Sequence, residues 1–214
     1  MDKLNTFMTS YHHIFPTCIA ADIRPELADE LYPIGTEYLA KYGGPHAYGS
    51  NEAKNHWTTY FNQKSADDMV LDPRLQEFYK YVINEARLYM NAMNTDSSKY
   101  KFNFPFSFFA KVGAGSQHEL HSHPGSVVSG VFYIRATENS PPIIFKDPRS
   151  YYKYIHYTTI FEDERDPKNY SLFPEYVVKP KSGMLLLFPS WLEHEVPLSN
   201  SEDERMTLVF NLDA

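Results

Sequence analysis

The chain has 214 residues, of which 43% are hydrophobic and 16% aromatic, and its formal net charge is −7. This length suffices for one domain with a buried core, and the acidic charge argues against nucleic acid and anionic membranes as partners. The single cysteine, Cys18, excludes an intrachain disulfide framework. With no signal-peptide pattern and no apolar run of about 18 residues, the sequence favours a cytoplasmic protein that does not span a membrane.

Residues 1–100 are predicted to be mainly helix and loop. In Asp22–Tyr42, apolar residues recur at helical spacing, and Pro33 is expected to kink or split this helix. A second helix is expected to begin at Asp72, an N-cap residue that a proline follows at the first helical position. Its apolar stripe runs from Leu75 to Met93, which is typical of a helix packed on a larger core.

After Tyr100 the pattern changes to short segments rich in β-branched and aromatic residues, separated by turns. The predicted strands are Lys101–Val112, Val127–Arg135, Ile143–Lys146, Tyr151–Phe161, Tyr176–Lys179, Met184–Phe188 and Arg205–Leu212. Closely spaced turns without an intervening helix predict a mainly β fold, a sandwich or jelly roll, with flanking helices outside it. No linker separates the two halves, so we expect one domain over residues 1–214, with helical support in 1–100 and the β core in 101–214.

Histidines cluster ahead of the second predicted strand. His118, His121 and His123 lie within six positions, and side chains two residues apart share one face of a strand. His194 follows the strand Met184–Phe188, and a neighbouring antiparallel strand of a jelly roll could bring it to the same end. Two histidines and one further ligand, with open positions, form the arrangement of non-haem iron oxygenases.

The carboxylate that usually completes such a site is missing at the expected spacing. The site is therefore either a three-histidine site or a two-histidine site with water in the acid position. Neutral ligands leave the full charge on the metal, so zinc or copper could occupy such a site as well as iron. A polar loop that is merely rich in histidine is the alternative, which the short motif alone does not exclude.

Arg205 begins the last predicted strand, and Thr207 shares its face. An arginine that points into a β core needs an anion, because an unpaired buried charge is costly. A guanidinium group beside a hydroxyl suits a carboxylate. The alternative is that Arg205 pairs with the acidic residues 202–204 or lies on the outer face.

Four motifs in this order resemble the 2-oxoglutarate- and Fe(II)-dependent oxygenases of bacteria and their phages. The matching blocks cover residues 117–149 and 180–211, while the N-terminal half matches mainly in layout. The motifs are HSHPGSVVSGVFYI, IIFKDPR, FPSWLEHEV and ERMTLVFN. The resemblance implies a double-stranded β-helix, the jelly-roll core that cupins also have.

The resemblance also implies a ligand set for the iron. His121 and His194 are the implied ligands, and His123 occupies the position where most such enzymes carry Asp or Glu. Some related hydroxylases have glycine in this position, so a missing carboxylate need not abolish oxygenase chemistry.

For the cosubstrate, the resemblance implies that Arg205, helped by Thr207, clamps the distal carboxylate of 2-oxoglutarate. Many members of the wider superfamily add a tyrosine or serine from an adjoining strand. Tyr133 and Ser129 are the candidates for this contact in the present sequence.

The predicted function is a dioxygenase, an oxidoreductase that uses Fe(II), 2-oxoglutarate and O2 to hydroxylate a substrate, with release of succinate and CO2. The substrate would be a small molecule or a protein side chain, and a homodimer is the default expectation for the assembly. Two alternatives stay open: a cupin-type metalloenzyme that does not use 2-oxoglutarate, and a non-catalytic binding module on this fold.

Overall fold

The computed structural model of the protein describes residues 10–14, 17–45, 56–148 and 175–213. The strands of this part of the chain are β1 (Ser10–Ile14), β2 (Thr17–Ile23), β3 (Gly44–Pro45), β4 (His56–Thr58), β5 (Asn103–Val112), β6 (His118–His121), β7 (Val128–Arg135), β8 (Ile143–Lys146), β9 (Glu175–Val178), β10 (Met184–Pro189), β11 (His194–Val196) and β12 (Arg205–Asp213). The α-helices are α1 (Pro25–Tyr42), α2 (Gln63–Leu71) and α3 (Gln76–Ala92). None of the helices in the described ranges is long and apolar enough to cross a membrane.

The strands form two facing antiparallel sheets. The larger has the order β1-β2-β10-β7-β12-β5-β4-β3 and the smaller the order β6-β11-β8-β9. From β5 onward the chain alternates between the sheets, except that β8 and β9 are neighbours in the smaller one. Four strands of each sheet thus form a jelly roll, and the predicted mainly β fold with flanking helices is confirmed.

The larger sheet has an apolar layer on each face because successive side chains of a strand point to opposite sides. On one face, Met206, Leu208 and Phe210 of β12 pack with helix residues such as Leu31 and Val82. These contacts place α1 and α3 outside the jelly roll.

The other face of the larger sheet packs against the smaller sheet. This second cluster includes Tyr133 of β7, Leu186 of β10 and Phe145 of β8. The odd-numbered residues of β12 belong to this face, so side chains that follow Arg205 at a spacing of two point between the sheets.

The N-terminal half contributes strands as well as helices. β2 pairs with β10 and extends the larger sheet at one edge, while β4 pairs with β5 at the other. The prediction of mainly helix and loop missed β1 to β4, because such short strands depend on their pairing partners more than on local pattern. The predicted strand Tyr151–Phe161 lies outside the described residues.

Helix α1 continues through Pro33, so the helix is not split at this residue. Proline has no backbone N–H, so the carbonyl oxygen of Asp29 lacks its helical hydrogen bond. Pro33 and Asp29 are both exposed, and water can therefore donate a hydrogen bond to this carbonyl instead. Asp72 caps a 3-10 turn over Pro73–Leu75 by accepting from the backbone N–H of Arg74, and α3 follows directly.

Candidate metal centre and cosubstrate pocket

Three histidines meet at one end of the space between the sheets. His121 at the end of β6 pairs in register with His194 at the start of β11, and His123 lies two residues beyond β6. Their potential ligand atoms all lie within 4.8 Å of one another, and the Nε2 atoms of His123 and His194 are 3.3 Å apart. Two nitrogens bound to one metal at about 2.1 Å are roughly 3 Å apart, so the arrangement fits one metal ion.

Backbone carbonyls fix the orientation of two of these rings. Nδ1 of His121 lies 2.7 Å from the carbonyl oxygen of Glu119, and Nδ1 of His194 lies 2.9 Å from that of Leu192. Because a carbonyl oxygen only accepts, both Nδ1 atoms carry the hydrogen and leave Nε2 free to coordinate a metal.

Burial keeps two of the imidazoles neutral. Desolvation, followed by the neighbouring His121, lowers the pKa of His194 to about 3 and that of His123 to about 4. Phe188 and Phe145 pack on His194, with ring centroids 4.8 and 5.7 Å away. The neutral imidazole is the form that binds metals, so no proton has to leave these two rings near neutral pH.

The metal-binding group found among the described residues consists of histidines alone. His123 stands where a carboxylate is usual, and its Nε2 faces His194 directly. This geometry favours the three-histidine alternative over a two-histidine site with water in the acid position.

A cavity of about 640 Å³ lies between the sheets and reaches the three histidines. Arg205 and Thr207 of β12 and Tyr133 of β7 line it, and Thr207 pairs in register with Tyr133. Arg205 is 6% exposed and Tyr133 is fully buried. The structure therefore brings these three predicted cosubstrate residues into one pocket with the histidines.

Two polar groups in this pocket have no hydrogen-bond partner among the described residues, namely Nε of Arg205 and the hydroxyl of Tyr133. The guanidinium carbon of Arg205 lies 5.2 Å from the centre of the Tyr133 ring. Burial raises the pKa of Tyr133, an effect that the charge of Arg205 opposes, so the hydroxyl keeps its proton and acts as a donor. Unpartnered buried donors beside a positive charge fit the carboxylate of a bound anion such as 2-oxoglutarate.

Two of the three acidic residues before β12 have other partners, which argues against the alternative assignment of Arg205. Glu204 forms an ion pair with Lys111, and Asp203 accepts hydrogen bonds from Thr137 and Asn139. Arg205 instead points into the cavity.

Ser129 does not line this cavity. Its hydroxyl is 2.8 Å from the hydroxyl of Ser190 and donates to Oδ1 of Asn211, also at 2.8 Å. The expected contact between Ser129 and the cosubstrate is therefore not supported by its position, and its one hydroxyl hydrogen is already donated to Asn211.

Two groups that line the cavity were not predicted from the sequence. Asn211 continues the spacing of two that begins at Arg205, and this periodicity could have identified it. Tyr60, Phe106 and Phe108 form an aromatic wall, in which Tyr60 contacts the other two rings edge to face at 4.9 and 5.0 Å. The alternating spacing of Phe106 and Phe108 can be recognised in the sequence, but the sequence does not show which face of the sheet they occupy.

A family model matches residues 107–211, and its description is "Putative 2OG-Fe(II) oxygenase". The match begins in β5 and ends in β12, so it contains the three histidines and Arg205. Residues 107–211 are thus similar to this oxygenase family. The predicted enzyme class, an oxygenase dependent on 2-oxoglutarate and Fe(II), and its predicted cofactors are thereby confirmed.

Solved structures of other oxygenases share the fold at low sequence identity. A Pseudomonas putida prolyl-4-hydroxylase aligns with a TM-score of 0.56 and 13% identity over 92% of each chain. The non-heme alpha-ketoglutarate-dependent epimerase SnoN from nogalamycin biosynthesis aligns with a TM-score of 0.64 and 9% identity, over 92% of this chain and 78% of that one. HygX from Streptomyces hygroscopicus, solved with nickel and 2-oxoglutarate, aligns with a TM-score of 0.54 and 11% identity over 91% and 82%.

Among curated proteins, none matches the chain. The structural neighbours show that the jelly-roll fold is shared, whereas their substrates are properties of those proteins.

Proposed function

We propose that the oxygenase holds Fe(II) on His121, His123 and His194 and binds 2-oxoglutarate with its distal carboxylate on Arg205. The observation that carries this proposal is the shared cavity: a buried arginine with an unpartnered nitrogen faces the same space as three converging imidazoles. The hydroxyls of Thr207 and Tyr133 donate further hydrogen bonds to the same carboxylate.

Bound iron and 2-oxoglutarate supply the oxidising chemistry, in which O2 is consumed, succinate and CO2 are released and a C–H bond of the substrate is hydroxylated. The chain contributes binding and orientation. The imidazoles present Nε2 to the metal, Arg205 fixes the direction of the cosubstrate, and apolar residues such as Phe188 and Val209 keep water away.

The aromatic wall suggests what kind of substrate group reaches the site. Tyr60 is 41% exposed, and with Phe106 and Phe108 it lines the cavity that also contains the histidines. Arg205 is the arginine of the cavity lining, and in this proposal it binds 2-oxoglutarate. We therefore expect the substrate, whether a small molecule or a protein side chain, to present an apolar or aromatic group without a negative charge.

A panel of N-acetyl amino-acid amides tests this substrate class. Succinate release above the unstimulated rate is measured for aromatic, aliphatic and charged members. We expect stimulation by the aromatic or aliphatic members, whereas stimulation confined to anionic members would contradict the assignment.

The function itself is tested by succinate formation from 2-oxoglutarate with Fe(II) and O2. The change Arg205→Ala removes a charged hydrogen-bonding partner, so the 2-oxoglutarate concentration for half-maximal succinate formation should rise about 10-fold or more. Fe(II) affinity should stay within about threefold, because Arg205 is not a metal ligand.

Arg135→Ala is the matched control, since Arg135 pairs with Asp29 on the outer surface. If the purified protein binds Fe(II) but never converts 2-oxoglutarate, the cupin-type alternative replaces the proposal. If it binds neither, the fold serves as a binding module.

Assembly and compartment are also proposals. The default homodimer is tested by light scattering after gel filtration, where a mass of one chain would contradict it. The cytoplasm agrees with the single cysteine, and tagging of the full chain in its host cell tests that location.

A further inference from the structure

A buried chain of polar side chains lies behind His123. Ser190 is fully buried and Ser129 is 1% exposed, and their hydroxyl oxygens are 2.8 Å apart. Ser129 donates to Oδ1 of Asn211, which lines the cavity beside His123. These residues belong to different elements: Ser129 to β7, Asn211 to β12, and Ser190 to the turn after β10.

The direction of the hydrogen bonds in this chain is fixed. A serine hydroxyl has one hydrogen, and that of Ser129 goes to Asn211, so Ser190 must donate to Ser129. Ser190 also holds the backbone, since its carbonyl oxygen accepts from the N–H of His123 at 2.7 Å. The network therefore holds the side chain of Asn211 and the backbone of His123 in place.

His123 differs from the other two histidines in how its ring is held. The Nδ1 atoms of His121 and His194 each have a carbonyl oxygen two residues earlier, and within the described residues His123 has no such backbone partner. Its ring instead interacts with the side chain of Asn211. Since Nε2 of His123 faces Nε2 of His194, Nδ1 is the ring nitrogen left for an outer partner.

We propose that Asn211 is a positioning residue for the metal site, and that Ser129 and Ser190 hold it in place. Oδ1 of Asn211 accepts from Ser129 with one lone pair and from Nδ1–H of His123 with the other, which leaves Nε2 of His123 bare for the metal. The inference rests on the proposed function in taking His123 as a ligand. It gives Ser129 a role through Asn211 and His123 in place of a contact with the cosubstrate.

The test measures Fe(II) affinity without oxygen, by competition with a chelator, so that it does not depend on activity. Asn211→Leu keeps a similar volume without an acceptor and should weaken Fe(II) binding about 10- to 100-fold. Asn211→Asp keeps an acceptor oxygen and should retain the affinity within about threefold or increase it. Ser129→Ala should weaken Fe(II) binding in the same direction as Asn211→Leu, by less.

Ser107→Ala is the matched control. Ser107 is a buried serine on the opposite face of the same sheet, where its hydroxyl is 3.0 Å from the hydroxyl of Tyr79. This variant should bind Fe(II) like the unchanged protein. Thermal unfolding of the metal-free variants shows whether any loss of affinity merely follows a loss of fold.

A double-mutant cycle separates positioning from general damage. If Asn211 acts through His123, Asn211→Leu should have no further effect on Fe(II) affinity once His123→Ala is present. Equal effects of Asn211→Leu in both backgrounds, or no effect in either, would overturn the inference. Failure of the unchanged protein to bind Fe(II) would instead overturn the proposed function.

Discussion

At the scale of single residues, His123 changes the charge of the metal site. Three neutral imidazoles leave the two positive charges of Fe(II) uncompensated, and Arg205 adds a third in the same cavity. A dianion such as 2-oxoglutarate then supplies the compensating charge. Metal and cosubstrate should therefore bind cooperatively, each strengthening the binding of the other by the same factor.

His123→Asp tests this reading of the charge. A carboxylate in this position offers an anionic ligand to the metal, so Fe(II) affinity without 2-oxoglutarate should equal or exceed that of the unchanged protein. His123→Ala should lower it. Anaerobic competition titrations check both variants, and equal losses in the two would mean that a ligand at this position requires an imidazole.

At the scale of elements, the alternation of side chains along each strand places the cavity residues on one face of the larger sheet and the core residues that contact the helices on the other. On β12, Arg205 and Thr207 face the cavity, while Leu208 and Phe210 face the helices. On β7, Tyr133 faces the cavity and Gly130 lies against Phe210. One pair of strands thus carries the proposed cosubstrate residues on one side and core residues on the other.

Gly130→Ala should disrupt the centre of this sheet. A Cβ at Gly130 would lie 2.3 Å from Phe210 Cζ and 2.9 Å from the carbonyl oxygen of Leu186, so a ring and a strand would both have to move. We expect a loss of about 2–3 kcal/mol in the free energy of unfolding, measured with urea. Gly44→Ala is the control, because a Cβ there meets no atom within 4 Å, and an equal loss in both would contradict the account.

Glu85 on α3 makes the free energy of unfolding depend on pH. Burial, and then the charge of Asp22, raises the pKa of Glu85 to about 7 from an ordinary value of 4.5. Because the folded protein holds this proton more tightly than the unfolded chain, the stabilisation is present below pH 4.5 and is lost as the pH rises through about 7.

Glu85→Gln should therefore raise the free energy of unfolding at pH 8 by about 1–3 kcal/mol and have little effect at pH 4.5. Urea unfolding at both pH values measures the difference. Glu77→Gln, on the exposed side of the same helix, is the control. A Glu85→Gln effect that did not change with pH would show that the carboxyl group is already protonated or solvated.

β6 and β11 were not predicted as strands, whereas the other six strands of the jelly roll were predicted to within about two residues, because their apolar and β-branched runs are local signals. Arg205–Leu212 and Ile143–Lys146 are examples. β1 to β4 could not be predicted, because they are defined by their pairing: β2 with β10, β4 with β5, β1 with β2 and β3 with β4. The three histidines and Arg205 were singled out by four motifs in a family-like order, because the spacing of the histidines alone was a weak signal. The position of Asn211 beside Ser129 could not be predicted, because it depends on how three segments of the chain come together.

At the scale of the whole molecule, the site lies where the two sheets meet, with β6 and β11 supplying histidines and β12 supplying Arg205. A ligand that binds the folded protein and not the unfolded chain stabilises the whole fold. At 100 times its Kd, a ligand adds about 2.7 kcal/mol, which corresponds to a rise of roughly 5–10 °C in Tm for a chain of this size.

Thermal unfolding without oxygen, with Fe(II) and 2-oxoglutarate together, should show this rise in the unchanged protein. His194→Ala should show no such rise, because a buried ligand is missing. An equal rise in both would place the binding of these ligands elsewhere in the molecule.

The most direct measurement is an anaerobic titration of the metal-free protein with Fe(II) and then 2-oxoglutarate, recorded in the visible range. The account predicts a weak charge-transfer band from the iron–cosubstrate chelate, absent in His194→Ala and shifted to higher 2-oxoglutarate concentrations in Arg205→Ala. A protein that binds Fe(II) but forms no band, or a band that persists unchanged in both variants, would contradict it.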